Sequence, residues 1–210
     1  MNLRRDFYAR PTLDVARDLI GKLLVHRTPE GTSSGRIVEV EAYIGEDDPA
    51  CHAAAGRTPR NEPLYGPPGV AYVYLNYGLH HLVNAVSESD GYPAAVLIRA
   101  LEPVEGLPLM RRRRSRAPWR AGKGAVPDWD LCRGPGNLTR AMGITLAQNT
   151  AALTRLPLVV RDEGGTAGEL AYGPRIGISA GQDRPWRIVE VGSRAVSARR
   201  LTRSAGPGSD

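Results

Sequence analysis

In the segment Arg36-Ile-Val-Glu-Val-Glu-Ala-Tyr-Ile44 apolar and polar residues alternate. On an extended chain Glu39, Glu41 and Tyr43 then share one face, and Val38, Val40, Ala42 and Ile44 the other. Glu41 and Tyr43 would project side by side, a carboxylate next to an aromatic ring. A carboxylate partly dried by such a neighbour is suited to general-base work; the bland alternative is the wet face of an ordinary strand. Tyrosine forms a second concentration: Tyr65, Tyr72, Tyr74 and Tyr77 fall within thirteen residues of a chain with eight tyrosines and one phenylalanine. A tyrosine offers a flat face for a nucleobase and a polar tip, although a core edge with satisfied hydroxyls uses the same residues. His52 follows Cys51 with no second pair at zinc spacing, and the adjacent His80 and His81 point to opposite faces of a strand. No metal site and no cofactor are expected. The run Arg111–Arg114 reads as a solvated loop, with phosphate contact as the alternative.

These side chains need elements to hold them. The spacing predicts a helix over residues 12–20, with Thr12 as its N-cap after Pro11 and Gly21 closing it. Strands are predicted over Lys22–Arg27 and Arg36–Ile44, flanking a turn-rich stretch Pro29–Gly35, and a loop of about 25 residues follows. Ala71–Asn76 and Leu79–Val86 read as two strands joined at Asn76-Tyr77-Gly78, a hairpin with Tyr77 near its point. Ala94–Leu101 reads as a buried strand ending at Glu102-Pro103. Residues 111–123 hold seven basic side chains and no acid, interrupted by Pro118 and Gly122, and read as a mobile solvated loop. A short helix over Asn137–Gly143 and strands over Leu156–Arg161, Arg175–Ile178 and Trp186–Val191 complete the set. Many short strands with few helices indicate an α+β fold: a single mixed domain over residues 1–203, around a curved antiparallel β-sheet with a protruding β-hairpin and flanking short helices. Residues 204–210 read as a disordered tail.

The chain has 210 residues, 41% hydrophobic and 24% charged, the composition of a globular protein. No apolar stretch approaches the roughly 18 residues of a membrane span, and no apolar segment follows the charged N-terminus, so neither a membrane anchor nor a secretory leader is expected. Two cysteines, Cys51 and Cys132, make neither a disulfide scaffold nor a four-cysteine metal site. A cytoplasmic, nucleoid-associated location is expected. The net charge is +6, and 26 of the 28 basic residues are arginine. Guanidinium forks suit bidentate contact with phosphate, and a basic surface gathers polyanions.

A basic surface, stacking aromatics, a hairpin with an aromatic tip and one well-placed carboxylate together describe an enzyme that extracts a base. The motifs Arg36-Ile-Val-Glu-Val-Glu-Ala-Tyr43, Thr58-Pro-Arg-Asn61, Tyr72-Val-Tyr-Leu-Asn-Tyr-Gly78 and Val96-Leu-Ile-Arg-Ala-Leu-Glu-Pro103 resemble, in order and spacing, the alkyladenine (3-methyladenine, N-methylpurine) DNA glycosylase family. Leu131-Cys-Arg-Gly-Pro-Gly-Asn-Leu138, Arg175-Ile-Gly-Ile178 and Pro185-Trp186 continue the match, which covers roughly residues 5–195.

The resemblance implies a monofunctional DNA glycosylase. Such an enzyme flips damaged purines such as 3-methyladenine, 7-methylguanine, hypoxanthine and ethenoadenine out of duplex DNA and hydrolyses the N-glycosidic bond, initiating base excision repair. By the same resemblance Glu41 activates the attacking water, Arg99 helps hold that water and the target phosphate, and the main chain at Ile176 completes the water site. Tyr43 and His52 are expected on one face of the flipped base and Tyr74 on the other. Asn84 is expected near the purine edge, and Tyr77 in the gap left in the duplex. The expected partner is double-stranded DNA carrying damaged purines, bound by a monomer. A lyase step would need an amine, and the only lysines, Lys22 and Lys123, lie outside the motifs. The rival reading is a non-catalytic nucleic-acid-binding domain that reads damaged or single-stranded DNA or RNA with the same aromatics and charge.

Overall fold

The computed structural model describes residues 1–116 and 124–197. Among them nine strands form one sheet: β1 (Leu23–Thr28), β2 (Gly31–Ile44), β3 (Ala71–Asn76), β4 (His80–Val86), β5 (Ala94–Glu105), β6 (Thr154–Arg155), β7 (Leu158–Arg161), β8 (Leu170–Gly173) and β9 (Arg187–Glu190). The helices α1 (Arg5–Tyr8), α2 (Thr12–Leu19), α3 (Leu107–Ser115) and α4 (Pro135–Met142) are short. The strands pair antiparallel in the order β3-β4-β5-β2-β1-β7-β6, with β9 on β2 and β8 on β9. The result is an α+β fold around a curled antiparallel sheet, as the sequence led one to expect.

The long strand β2 organises the molecule. Its first six residues pair with β1, its centre Glu39–Glu41 pairs with β9, and β5 runs along its other edge from Ser34 to Ile44. Residues 39–41 therefore have a strand on both sides, which removes their backbone from water. Besides a shift between Ser34 and Gly35, the register against β5 shifts twice near the strand centre, Ile37 facing Leu101, Glu39 facing Ala100 and Val40 facing Ile98. One extra residue thus sits on β2 at Val38 and one on β5 at Arg99, and a bulge re-aims the side chain it carries. Ile37, Val40 and Ala42 enter the main core beside Val96, Ile98 and Leu101, under Val15, Ala16 and Leu19 of α2 and Leu138, Ala141 and Met142 of α4. Val38 was expected on that face, but the bulge sends it to a separate small cluster with Ala100 and Ala195.

Several elements differ from the sequence reading. β2 begins at Gly31, because Pro29 and Glu30 alone turn the β1–β2 hairpin. β5 continues through Pro103 to Glu105. Thr12 is the first residue of α2 rather than its cap. Pro11 at the cap has no acceptor side chain, and Glu88 from another loop supplies one, taking the Thr12 N–H at 2.6 Å and its hydroxyl at 2.7 Å. The arginine-rich segment is helical through Ser115, with Arg113 and Arg114 buried. Arg113 donates to Glu30, to the Thr28 hydroxyl and to the Ala141 carbonyl, so this one arginine staples α3 to the β1–β2 turn and to the end of α4, while Arg114 donates to the Asp130 and Leu131 carbonyls. Residues 117–123 and the expected tail lie outside the described residues. Residues 175–178 form no strand; their place in the sheet is taken by Leu170–Gly173, which pairs with β9.

At the sheet's edge β3 and β4 protrude as a hairpin. Asn76 C=O accepts from Leu79 N–H at 3.0 Å, and Tyr77 and Gly78 between them have φ of 49° and 69°. Two positive φ angles give the tight turn whose twist matches that of the flanking strands. Tyr77, 87% exposed, stands at the tip beside Leu79, 63% exposed.

Candidate active site

Glu41 has no exposed surface, and three donors meet its carboxylate. Ile176 N–H donates to Oε1 at 2.7 Å; the Tyr43 hydroxyl donates to Oε2 at 2.8 Å and Arg99 Nη1 to the same oxygen at 3.0 Å. A carboxylate offers about four acceptor positions, two per oxygen. Oε2 is filled, whereas Oε1 holds a single donor and keeps a second position. Burial raises the Tyr43 hydroxyl far above its ordinary value, and the adjacent Glu41 charge raises it further, so that hydroxyl remains a donor.

Arg99, carried on the β5 bulge, bridges two carboxylates. Its Nε donates to Glu39 Oε1 at 3.0 Å while Nη1 serves Glu41. Glu39 also accepts from Arg187 Nε at 2.8 Å, from the Ser197 N–H at 2.6 Å and from the Ser197 hydroxyl at 2.9 Å. Burial alone would raise the Glu39 carboxyl, but Arg99 and Arg187 hold it below the usual range, so it stays ionised. The face read as possibly wet is therefore dry and salt-bridged.

A cavity of about 420 Å³ opens beside this cluster. Tyr43, His52, Tyr74, Asn84, Arg99 and Ile176 all line it, and Tyr77 stands at its rim. Glu41 lies directly behind the lining, in contact with three of those residues. Every site residue expected from the sequence is thus gathered at one place. His52 sits differently from the expectation. Its ring packs against Tyr74 with centroids 4.4 Å apart, and its Nδ1 meets the Tyr72 hydroxyl at 2.8 Å. Two rings already in contact leave no slot for a base between them, so His52 and Tyr74 form one wall and Tyr43 stands apart from it. Burial, helped by Arg60, lowers the His52 pKa and keeps the imidazole neutral at neutral pH. Tyr74 is pushed up to about 12 by burial and by Glu41. Asn84 lies in β4 opposite Tyr72 and donates one amide N–H to the Tyr72 carbonyl at 2.9 Å, which fixes the side chain.

Sequence reasoning missed Glu39, Asp48, Tyr72's partnership with His52, Arg175, Arg187 and Ser197. Asp48 and Arg175 form a fully buried ion pair at 2.5 and 2.7 Å, and the Arg175 guanidinium lies 4.7 Å from the Tyr43 ring centre and 5.1 Å from that of Trp186. One signal was available: Glu39 shares its strand face with Glu41, and a single Arg99 beside two carboxylates calls for more cations.

Among the described residues no group of three or more His, Cys, Asp or Glu side chains is placed to hold a metal, and no helix is long and apolar enough to cross a membrane. A model of the family described as methylpurine-DNA glycosylase matches residues 6–194. The chain is 48% identical over 200 residues to a protein of Methanocella arvoryzae, covering 94% of this chain and 96% of that one. It is 49% identical over 187 residues to one of Rubrobacter xylanophilus, covering 88% and 92%. A Chlorobium phaeobacteroides protein is 45% identical over 200 residues, covering 94% and 96%, and all three bear the provisional name 3-methyladenine DNA glycosylase. With a family match spanning nearly all of the described fold and relatives this similar over their whole lengths, the chain belongs to the methylpurine-DNA glycosylase family.

Proposed function

We propose that this protein is a monofunctional DNA glycosylase that flips damaged purines out of duplex DNA and hydrolyses their N-glycosidic bond with a water activated by Glu41. The observation that carries this reading is the Glu41 carboxylate, dry, triply hydrogen-bonded and set behind a tyrosine-lined cavity with one acceptor position left on Oε1. A water on that position gives its proton to Glu41 as its oxygen attacks C1′ of the deoxyribose. The C1′–N9 bond breaks, and its electron pair leaves with the purine. Attack opposite the departing base suits an oxocarbenium-like transition state, as in inverting glycoside hydrolysis. Arg99 holds the carboxylate and, at the cavity wall, is available to the target phosphate.

The lesion stacks on Tyr43 against the wall made by His52 and Tyr74. Poor pairing of the damaged base lowers the cost of extrusion, and Tyr77 enters the gap left behind. Asn84, fixed by its bond to the Tyr72 carbonyl, lies at the cavity wall near the purine edge, where its bulk disfavours the 2-amino group of guanine. Cationic 3-methyladenine and 7-methylguanine depart as neutral bases without protonation. Neutral hypoxanthine and ethenoadenine have no ready acid here, since His52 is neutral and Tyr74 titrates high; they are expected to leave more slowly. The test is incubation with duplexes carrying each lesion, followed by counting alkali-labile abasic sites. Binding without base release from any of them would refute the catalytic reading in favour of a passive reader.

A further inference from the structure

The donor that clamps Glu41 Oε1 comes from a segment with little to hold it. Residues 175–178 belong to no strand, and among the described residues they form no backbone–backbone hydrogen bond. Gly177 within them has a φ of 76°, a conformation with no ladder to impose it. What fixes the segment is the side chain of Arg175. Its Nη1 donates to the Ala42 carbonyl at 2.9 Å and to Asp48 Oδ2 at 2.5 Å, and its Nη2 donates to Asp48 Oδ1 at 2.7 Å. Asp48 is in turn held by the Ile44 N–H at 3.3 Å and the Ala50 N–H at 3.2 Å, with Arg184 3.6 Å away. The guanidinium carbon also lies 4.7 Å from the Tyr43 ring centre and 5.1 Å from that of Trp186, so both nitrogens of the fork and the flat of the group are held against β2.

We propose that Asp48 and Arg175 are positioning residues for the reaction: their buried ion pair ties the 175–178 segment to β2 so that the Ile176 N–H meets the Glu41 carboxylate and leaves one acceptor position on Oε1 for water. The inference rests on Glu41 being the base. Ala42, to which Arg175 is tied, is the direct chain neighbour of Glu41, and Tyr43 is the next residue. One guanidinium therefore sets the clamp, the strand that carries the base, and the ring that supports the lesion. A bidentate fork is required, because a point charge cannot span both Asp48 oxygens and the Ala42 carbonyl at once.

The test is the titration of Glu41 itself, read by ¹³C-carboxyl NMR and assigned by difference from Glu41→Gln. The groups facing Glu41 are Glu39 and Tyr43 on its own strand, Arg99 from β5, Tyr74 from β3, and the Ile176 N–H with Arg175 behind it. Asp48→Asn disturbs only the last of these directly, whereas Arg175→Lys also reaches Tyr43, whose ring the guanidinium lies against. Loss of a hydrogen bond to the charged form raises a carboxyl pKa, so the titration of the Glu41 resonance should move to higher pH in both variants. Single-turnover base release should fall about tenfold or more, because the carboxylate and its water are no longer held in place, with its acid limb displaced to higher pH. Affinity of Asp48→Asn for lesion duplex should change little. Arg175→Lys keeps a cation beside Asp48, so it carries the test if Asp48→Asn does not fold. An unchanged Glu41 midpoint in a folded variant, or loss of lesion binding in step with loss of rate, overturns the positioning role. Absence of base release by the wild-type protein overturns the glycosylase reading alone, because the titration is read without activity.

Discussion

Replacement of Glu41 by glutamine separates catalysis from architecture, and the hydrogen bonds set the size of both effects. The carboxylate accepts from Ile176 N–H on one oxygen and from Tyr43 and Arg99 on the other. Glutamine has one acceptor oxygen and one NH₂. If the oxygen faces Arg99 and Tyr43, the NH₂ confronts the Ile176 N–H; if it faces Ile176, the NH₂ confronts Arg99. Either way one buried donor loses its acceptor, which costs about 1–3 kcal/mol. In a domain of this size each kcal/mol lowers Tm by about 2–4 °C, so Glu41→Gln should melt about 2–12 °C lower while remaining folded. Arg99 keeps Glu39 as a partner, so the guanidinium is not left unpaired. Base release depends on proton acceptance, and losing a general base lowers a rate about 10²–10⁴-fold. Single-turnover excision from a 7-methylguanine duplex should fall by at least about 100-fold, with binding of the same duplex retained. Turnover near the wild-type rate in the folded variant would remove Glu41 from the mechanism.

The other expectations are simpler to read. Tyr77→Ala should leave Tm unchanged, because the ring is 87% exposed; ethenoadenine fluorescence should report a smaller flipped fraction, and unimpaired excision from duplex would disprove the wedge. Binding to undamaged duplex should weaken steeply with salt as arginines displace condensed counterions; a flat response would mean that the +6 charge is no DNA footprint. Part of the charge once assigned to that footprint is internally matched, since Arg112, Arg113 and Arg116 all lie within 4.0 Å of Glu30 and Arg111 pairs with Asp128; Arg113→Gln should therefore lower Tm more than it changes the salt slope. Burial lowers the pKa of His26, His52 and His81 below 6.5. The unfolded chain then binds protons first as pH falls, so Tm should drop from about pH 6.5 downward, well before the depressed carboxyls of Glu39 and Asp48 titrate. A Tm constant from pH 7 to 5 would contradict the buried neutral histidines.

The sequence was most legible where a local rule decides the outcome. Asn-Tyr-Gly between two alternating strands located the hairpin tip, and strand periodicity put Glu41 beside Tyr43. It was less legible where the partner is distant in sequence. Residues 111–116 looked solvated because their acceptors, Glu30, Thr28 and Ala141, lie elsewhere in the chain. The expected strand over 175–178 fails for the same reason: Arg175 finds Asp48, 127 residues away, instead of a ladder. The bulges at Val38 and Arg99 have no signature in residue type. They decide that Val38 leaves the main core and that Arg99 reaches two carboxylates.

The site's ionic arrangement explains why its chemistry is spread over so many residues. Beside the cavity lie three buried carboxylates, Glu39, Glu41 and Asp48, and three buried guanidinium groups, Arg99, Arg175 and Arg187. The charges balance, and each carboxylate touches at least one guanidinium. Deleting one member leaves its partner buried and uncompensated, at a cost of about 3–5 kcal/mol. Replacing such a cluster with apolar side chains often stabilises a protein, so stability alone does not account for it. What the cluster secures is a fixed set of donors around Glu41 in a dry place. Glu39 occupies Arg99 Nε, so that only Nη1 draws on the base, and Asp48 occupies the cation behind Tyr43. Without those counter-charges two arginines would bear on Glu41 unopposed. The balanced set instead brings no net charge of its own to the cavity wall and leaves the second acceptor position of Glu41 Oε1 open.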